Sequence, residues 1–219
     1  MTVADRFSIA PLRMPSLPGE PAWEAAMLFP AQGEWTETQY LALNGSNRMV
    51  ELSNGCLDVL PMPTPLHQRI VDYLFSLLKA FVVARGLGEV YFAPLPVRLW
   101  EGKFREPDIM FFRPGRIVNP REQPDGVDLA MEVLSEGAEN RERDLEIKRA
   151  EYAAAGIPEY WIVDPELSRI TVLSLDGESY REHGVFGAAT TAASVLLPGF
   201  EVDVKSVFAA GSEGQEPRQ

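Results

Sequence analysis

Between Asp128 and Pro165 the chain reads DLAMEVLS, then a long charged stretch, then EYWIVDP. The two outer pieces are apolar enough to be buried strands, Val127 to Ser135 and Tyr160 to Val163. The second is the short, unbroken kind found at a sheet's centre. Between them, Glu139 to Ala155 reads as a helix, amphipathic through Leu145, Ile147, Tyr152 and Ala155, and Gly156 closes it. Strand, helix and strand in succession predict a right-handed crossover with both strands parallel in one sheet, a preference that leaves few topologies.

The other segments predict an α/β (α+β) fold, one mixed sheet flanked by helices. Arg48 to Ser53 and Cys56 to Leu60 flank Asn54-Gly55, a strong type I′ hairpin signal. Ahead of them, Thr36 and Gln39 have capping-box spacing for a short helix ending near Asn44-Gly45. His67 to Arg85 carries Ile70, Val71, Leu74, Leu77, Leu78, Phe81 and Val82 at helical spacing, and Gly86 stops it. Val90 to Trp100, Arg105 to Phe112 and Val127 to Ser135 read as a three-stranded meander, and Arg169 to Leu175 with Asp176-Gly177 as a peripheral hairpin. Residues 1–34 read as an irregular proline-rich extension, 35–210 as one domain and 211–219 as a disordered tail.

Composition narrows the function classes. With 46% hydrophobic residues in 219, the chain can bury a sizeable core, but no apolar stretch is long enough to span a bilayer and no secretion signal opens it. A lone cysteine, Cys56, excludes an internal disulfide and a cysteine-rich zinc site, which suits a cytoplasmic location. A net charge of −12 argues against generic attraction to nucleic acid, a task then left to a local basic patch or a metal.

Two acids stand out against this background. In EPDIMFF, Asp108 follows Pro107 and opens an apolar run, and Glu132 interrupts the apolar strand MEVL. Unpartnered burial of either carboxylate costs several kcal/mol or more. If the two strands pair, both acids meet on one face, where a divalent cation such as magnesium relieves their repulsion. On the following helix Lys148 lies one turn from Asp144 and one turn from Tyr152, and helix packing over the sheet directs it toward the acids. Two acids, a lysine and a metal form a phosphodiesterase set. The ordinary readings are a strand-start turn for Asp108, a salt bridge to Arg149 or Lys148 for Glu132, a solvated or ion-paired helix charge for Lys148 and packing for Tyr152.

The order of PD, a central glutamate on the next strand and a lysine resembles the PD-(D/E)XK nuclease superfamily. More closely, EPDIMFF through MEVLSEGAENRERDLEIKRAEYAAAGIPEYWIVDP, with VELSNGCLDVLPMPTPLHQRIVDYL upstream, is similar to the Uma-two family of restriction-endonuclease-like proteins, over about Thr36 to Phe208. The resemblance implies a restriction-endonuclease-like fold and a magnesium or manganese site from Asp108, Glu132 and the Val133 carbonyl. It makes Lys148 the catalytic lysine, with Glu51, His67 and Tyr152 as supporting positions. The wider superfamily places lysine two residues after the glutamate, where this chain has Leu134, so that role passes to the helix. The implied activity is metal-dependent cleavage of nucleic acid, with DNA the expected substrate, and exposed apolar strand edges with the proline-rich arm make a homodimer the expected form. The alternative is a non-catalytic binding module of the same fold.

Overall fold

The computed structural model describes residues 30–43 and 50–212. The extension expected before residue 30, the helix end at Asn44-Gly45, the strand start at Arg48 and the tail beyond Ser212 lie outside those residues. In chain order the elements are α1 (Glu37–Leu43), β1 (Val50–Ser53), β2 (Cys56–Val59), α2 (Pro65–Arg85), β3 (Glu89–Phe92), β4 (Val97–Trp100), β5 (Lys103–Arg105), β6 (Ile109–Phe112) and β7 (Leu129–Val133). They continue as α3 (Ala138–Glu142), a π-helical turn (Arg143–Ile147), α4 (Lys148–Ala154), β8 (Glu159–Asp164), β9 (Arg169–Asp176), β10 (Ser179–Gly187), β11 (Thr191–Ala193), β12 (Glu201–Asp203) and α5 (Val204–Ser212).

Local chemistry accounts for several boundaries. The Thr36 N–H donates to Gln39 Oε1 at 3.0 Å and the Gln39 N–H to Thr36 Oγ1 at 3.3 Å, a complete capping box for α1. Asn54 and Gly55 take φ of 50° and 80°, the two left-handed residues that a type I′ turn between β1 and β2 requires. Thr64 caps α2 by accepting the His67 N–H, Pro65 fills the first turn and Gly86 ends the helix in left-handed geometry. Leu77, expected on the buried stripe, sits at its margin and is exposed.

β10-β9-β8-β7-β6-β3 form one sheet in that order, and β2-β1-β5-β4 form a smaller one. β7 and β8 run parallel, joined by the expected crossover. The extended segment expected from Val90 to Trp100 is instead two strands in different sheets, β3 and β4. Pro94 and Pro96 interrupt it, and neither can donate to a ladder. Pro107 likewise separates β5 from β6. The meander therefore survives as β3, β6 and β7, with the β4–β5 hairpin folded out to join β1 and β2. Asp108 stands at the junction of the two sheets.

Side chains alternate across the larger sheet. Ile109, Phe111, Leu129, Met131 and Val133 pack against Ile70, Leu74 and Leu78 of α2, while Met110, Phe112, Ala130 and Ile162 pack against Tyr152 of α4. Each such fully buried side chain contributes roughly 1.5–3 kcal/mol. α5, which the sequence reading does not anticipate, packs on α2 and includes Gly211 and Ser212. A Cβ at Gly211 would come within 2.9 Å of both Leu66 and Ile70 side-chain atoms, so the helices approach closely because that residue is glycine.

The crossover helix departs most from expectation. Its π turn inserts one residue relative to the α-helical period, which rotates the face C-terminal to it. Ile147, expected inside, is 47% exposed, and Lys148, expected partly outside, is 3% exposed. The start of this helix is tied to the end of β8, because Arg141 donates to both oxygens of Asp164 at 3.1 and 2.7 Å and the Leu167 N–H adds a third bond. Burial alone would push the Asp164 carboxyl up, but Arg141 and Leu167 outweigh it and hold it below the ordinary carboxylate range. The unfolded chain therefore binds this proton more tightly than the folded one. The stabilisation is present above the ordinary aspartate pKa of about 4 and is lost as pH falls through the folded value. Asp164→Asn should cost about 1.5–3 kcal/mol at pH 7 by urea unfolding, with the gap from wild type closing in acid.

Candidate active site

β6 and β7 are antiparallel, with Ile109 opposite Met131 and Met110 opposite Ala130. One further step in that register sets Asp108 opposite Glu132, and opposed residues project to the same face. Asp108 Oδ2 accepts the Val133 N–H at 2.7 Å and lies 3.2 Å from His67 Nε2. Glu132 Oε1 accepts the Tyr152 hydroxyl at 2.6 Å and faces the Lys148 ammonium at 2.9 Å. Each acid thus uses one oxygen. Asp108 Oδ1 and Glu132 Oε2 have no hydrogen-bond partner among the described residues.

Glu159, one strand away, shows what a structural acid looks like here. It is fully buried, and its oxygens accept from Trp161 Nε1, Ser194 Oγ, and the N–H groups of Val195 and Leu196, all at 2.6–2.7 Å. No lone pair is left facing a cavity without a partner of its own. Asp108 and Glu132, by contrast, line a pocket together with His67, Glu106, Arg143, Asp144 and Lys148.

Lys148 lies 2.9 Å from Glu132, 3.1 Å from Asp144 and 3.9 Å from Glu51. Burial works against its charge, but Asp144 and Glu132 prevail and raise its pKa above the ordinary lysine value. Burial pushes the Glu132 carboxyl up, and Asp108 and Asp144 add to this against the pull of Lys148. These shifts oppose each other, one favouring a charged pair and the other a protonated acid. The charged lysine is the firmer of the two, because two carboxylates lie within 3.1 Å of it. The push on Glu132 then comes first from its burial, with Asp108 and Asp144 adding to it.

The supporting residues surround this centre. Glu51 of β1 is fully buried; its Oε1 accepts the Glu106 N–H at 2.9 Å and its Oε2 pairs with Arg105 at 2.7 Å. Despite burial, Lys148 and Arg105 hold its carboxyl below the usual range. Arg105 also grips Glu151 of α4 through two bonds, at 2.7 and 3.1 Å, and Lys103 pairs with the same carboxylate. That network fastens α4 to the smaller sheet and so fixes Lys148. Tyr152 is fully buried with its hydroxyl on Glu132, and its ring packs edge-on to Tyr160, whose own hydroxyl donates to the Asp144 carbonyl at 3.0 Å. Burial would lower the His67 pKa, but the bond to Asp108 raises it.

All of the predicted site residues thus lie at one end of the β6–β7 pair. The ordinary readings hold in part, since Lys148 is the ion-pair partner of Glu132, whereas Arg149 points away to the Tyr180 carbonyl. Glu106 and Asp144 also line the pocket and carry no assignment from sequence. Asp144 was detectable four residues before Lys148, and Glu106 as the acid directly preceding Pro107. Burial, with Glu51 adding to it, pushes Glu106 up to about 7. Among the described residues no group of three or more His, Cys, Asp or Glu side chains is arranged to hold a metal, so Asp108 and Glu132 supply at most a two-carboxylate set.

A family profile described as "putative restriction endonuclease", Uma2, matches residues 37–205. Among solved structures the fold is similar to that of a "putative nuclease belonging to DUF820" from Anabaena variabilis ATCC 29413. The TM-score is 0.66 at 18% identity, over 81% of this chain and 99% of that one. A search of curated proteins finds no match. No helix among the described residues is long and apolar enough to cross a membrane.

Proposed function

Because the chain belongs to the Uma2 family, we propose that it is a divalent-metal-dependent endonuclease that hydrolyses phosphodiester bonds, with Asp108, Glu132 and Lys148 as its catalytic set. The observation that carries this reading is the pair of spare oxygens. Asp108 and Glu132 face one pocket, each with an oxygen that no described residue uses. Magnesium or manganese suits such a set, since these hard cations are commonly held by one or two carboxylates and fill their remaining positions with water and substrate phosphate. The Val133 carbonyl, at the end of β7 beside Asp108, is the proposed third ligand. The cation, when bound, supplies Lewis acidity that lowers the pKa of water and offsets charge on the phosphate.

The protein's own residues supply the rest. The Val133 N–H and His67 hold Asp108 through Oδ2 and leave Oδ1 without a hydrogen bond among the described residues. Tyr152 and Lys148 do the same for Glu132 through Oε1. Lys148, held charged by its acids, acts as a hydrogen-bond donor and charge stabiliser rather than as a proton acceptor. The proposed substrate is DNA and the proposed working form a homodimer in the cytoplasm, in which two symmetric sites suit double-strand cutting.

The direct test is incubation of supercoiled plasmid and structured RNA with the purified chain in magnesium, in manganese and in EDTA. Cleavage is expected with either cation, none in EDTA, and none with Asp108→Asn, which keeps the shape of the side chain and removes its charge. Binding without cutting under every condition would point to the non-catalytic module instead.

A further inference from the structure

Arg143 is the pocket's uncommitted cation. Lys148 lies 2.9 Å from Glu132 and 3.1 Å from Asp144, and Arg105 is bonded to Glu51 and Glu151, whereas Arg143 donates no hydrogen bond to any described residue. Its nearest acid oxygen is Asp144 Oδ1 at 3.5 Å, outside hydrogen-bond geometry for the Nε–H, which is buried without a partner. A guanidinium whose donors find no acceptor in the described residues is free to offer them to a ligand in the pocket. The guanidinium lines the same pocket as Asp108, Glu132 and Lys148, and it stands on the first residue of the π turn, a distortion frequent at functional sites.

We infer that Arg143 binds the non-bridging oxygens of the substrate phosphate beside the Asp108–Glu132 pair, and so positions a nucleic-acid backbone that this acidic protein otherwise repels. The inference rests on the nuclease reading above. A planar fork of donors matches a phosphate through two parallel bonds, as a single ammonium does not. A backbone contact of this kind also explains how a chain of net charge −12 could engage a polyanion: the attraction is local, and it is independent of base sequence.

The test is binding of a fluorescein-labelled DNA duplex, and of a single strand of equal length, in calcium over a range of sodium chloride concentrations. Wild type, Arg143→Gln, Arg143→Lys and Arg85→Gln are compared. Arg85 sits on the Phe81 ring at the opposite end of α2 from His67, roughly 27 Å along the helix axis. Loss of one phosphate contact should flatten the slope of log affinity against log salt by about 0.9 for duplex or about 0.7 for single strand. Arg143→Gln should show that loss equally on unrelated sequences, Arg143→Lys should recover most of the slope, and Arg85→Gln should match wild type. If wild type binds and Arg143→Gln keeps the wild-type slope, Arg143 is only an ion-pair neighbour of Asp144 and this inference alone falls. It falls equally if Arg85→Gln flattens the slope as much as Arg143→Gln. If wild type binds neither probe, the reading of the protein as a DNA nuclease falls and takes the inference with it.

Discussion

Lys148→Ala is expected to abolish metal-dependent cleavage and to destabilise the fold by about 3–5 kcal/mol, the usual cost of removing one member of a buried ion pair. The sequence alone predicts a smaller stability effect, because a lysine on a charged helix reads as partly exposed. The π turn changes that. It brings Lys148 to 3% exposure between Glu132 and Asp144, so its removal leaves two buried carboxylates without their cation. Part of the loss should be recovered at lower pH, where the abandoned acids take up protons. Lys148→Arg should keep the charge but fail to cut, since a guanidinium is larger and planar where the space suits a compact ammonium. Urea unfolding at pH 5 and pH 8, alongside plasmid cleavage, separates the two effects. Wild-type stability in Lys148→Ala would mean that the acids are already relieved by something other than this lysine.

Glu132→Gln should have the largest effect on the cation. Glutamine keeps the shape and can still accept from Tyr152, but it carries no charge. Manganese affinity is expected to fall by more than roughly 100-fold, beyond the 10–100-fold that loss of an outer contact produces. Wild type should melt at a higher temperature in excess manganese, gaining about 2.7 kcal/mol at a concentration 100 times Kd, and the variant should show no such gain. Without metal the variant should be at least as stable as wild type at neutral pH. Burial disfavours the charged form of Glu132, so a neutral side chain removes a penalty that grows as pH rises through the usual glutamate range. Opposite effects with and without metal distinguish a ligand from a structural acid of the Glu159 kind.

Much of this was legible in the sequence. The capping box at Thr36 and Gln39 and the Asn54-Gly55 turn follow from local rules, because their causes lie within a few residues of one another, and the β7–helix–β8 crossover follows from the order of its elements. Asp108 and Glu132 were visible as acids out of place in apolar runs. The division of Val90 to Trp100 between two sheets was harder to read. Its prolines mark a break, but where the chain goes afterwards depends on pairing with β1, some fifty residues away in sequence. The π turn left no periodic signature, since one extra residue in a charged helix changes the face of Ile147 and Lys148 and little else. Nor could spacing reveal the Glu51–Arg105–Glu151 network, which joins three elements remote in sequence and forms only when the smaller sheet meets α4.

Manganese soaked into a crystal of the protein tests most directly whether the two misplaced acids exist to hold a cation. An anomalous peak is expected about 2.0–2.2 Å from both Asp108 Oδ1 and Glu132 Oε2, within reach of Val133, and absent in Glu132→Gln. A fully soaked crystal with no peak near either carboxylate, or with manganese bound only elsewhere, would contradict the assignment of a metal centre to this pocket.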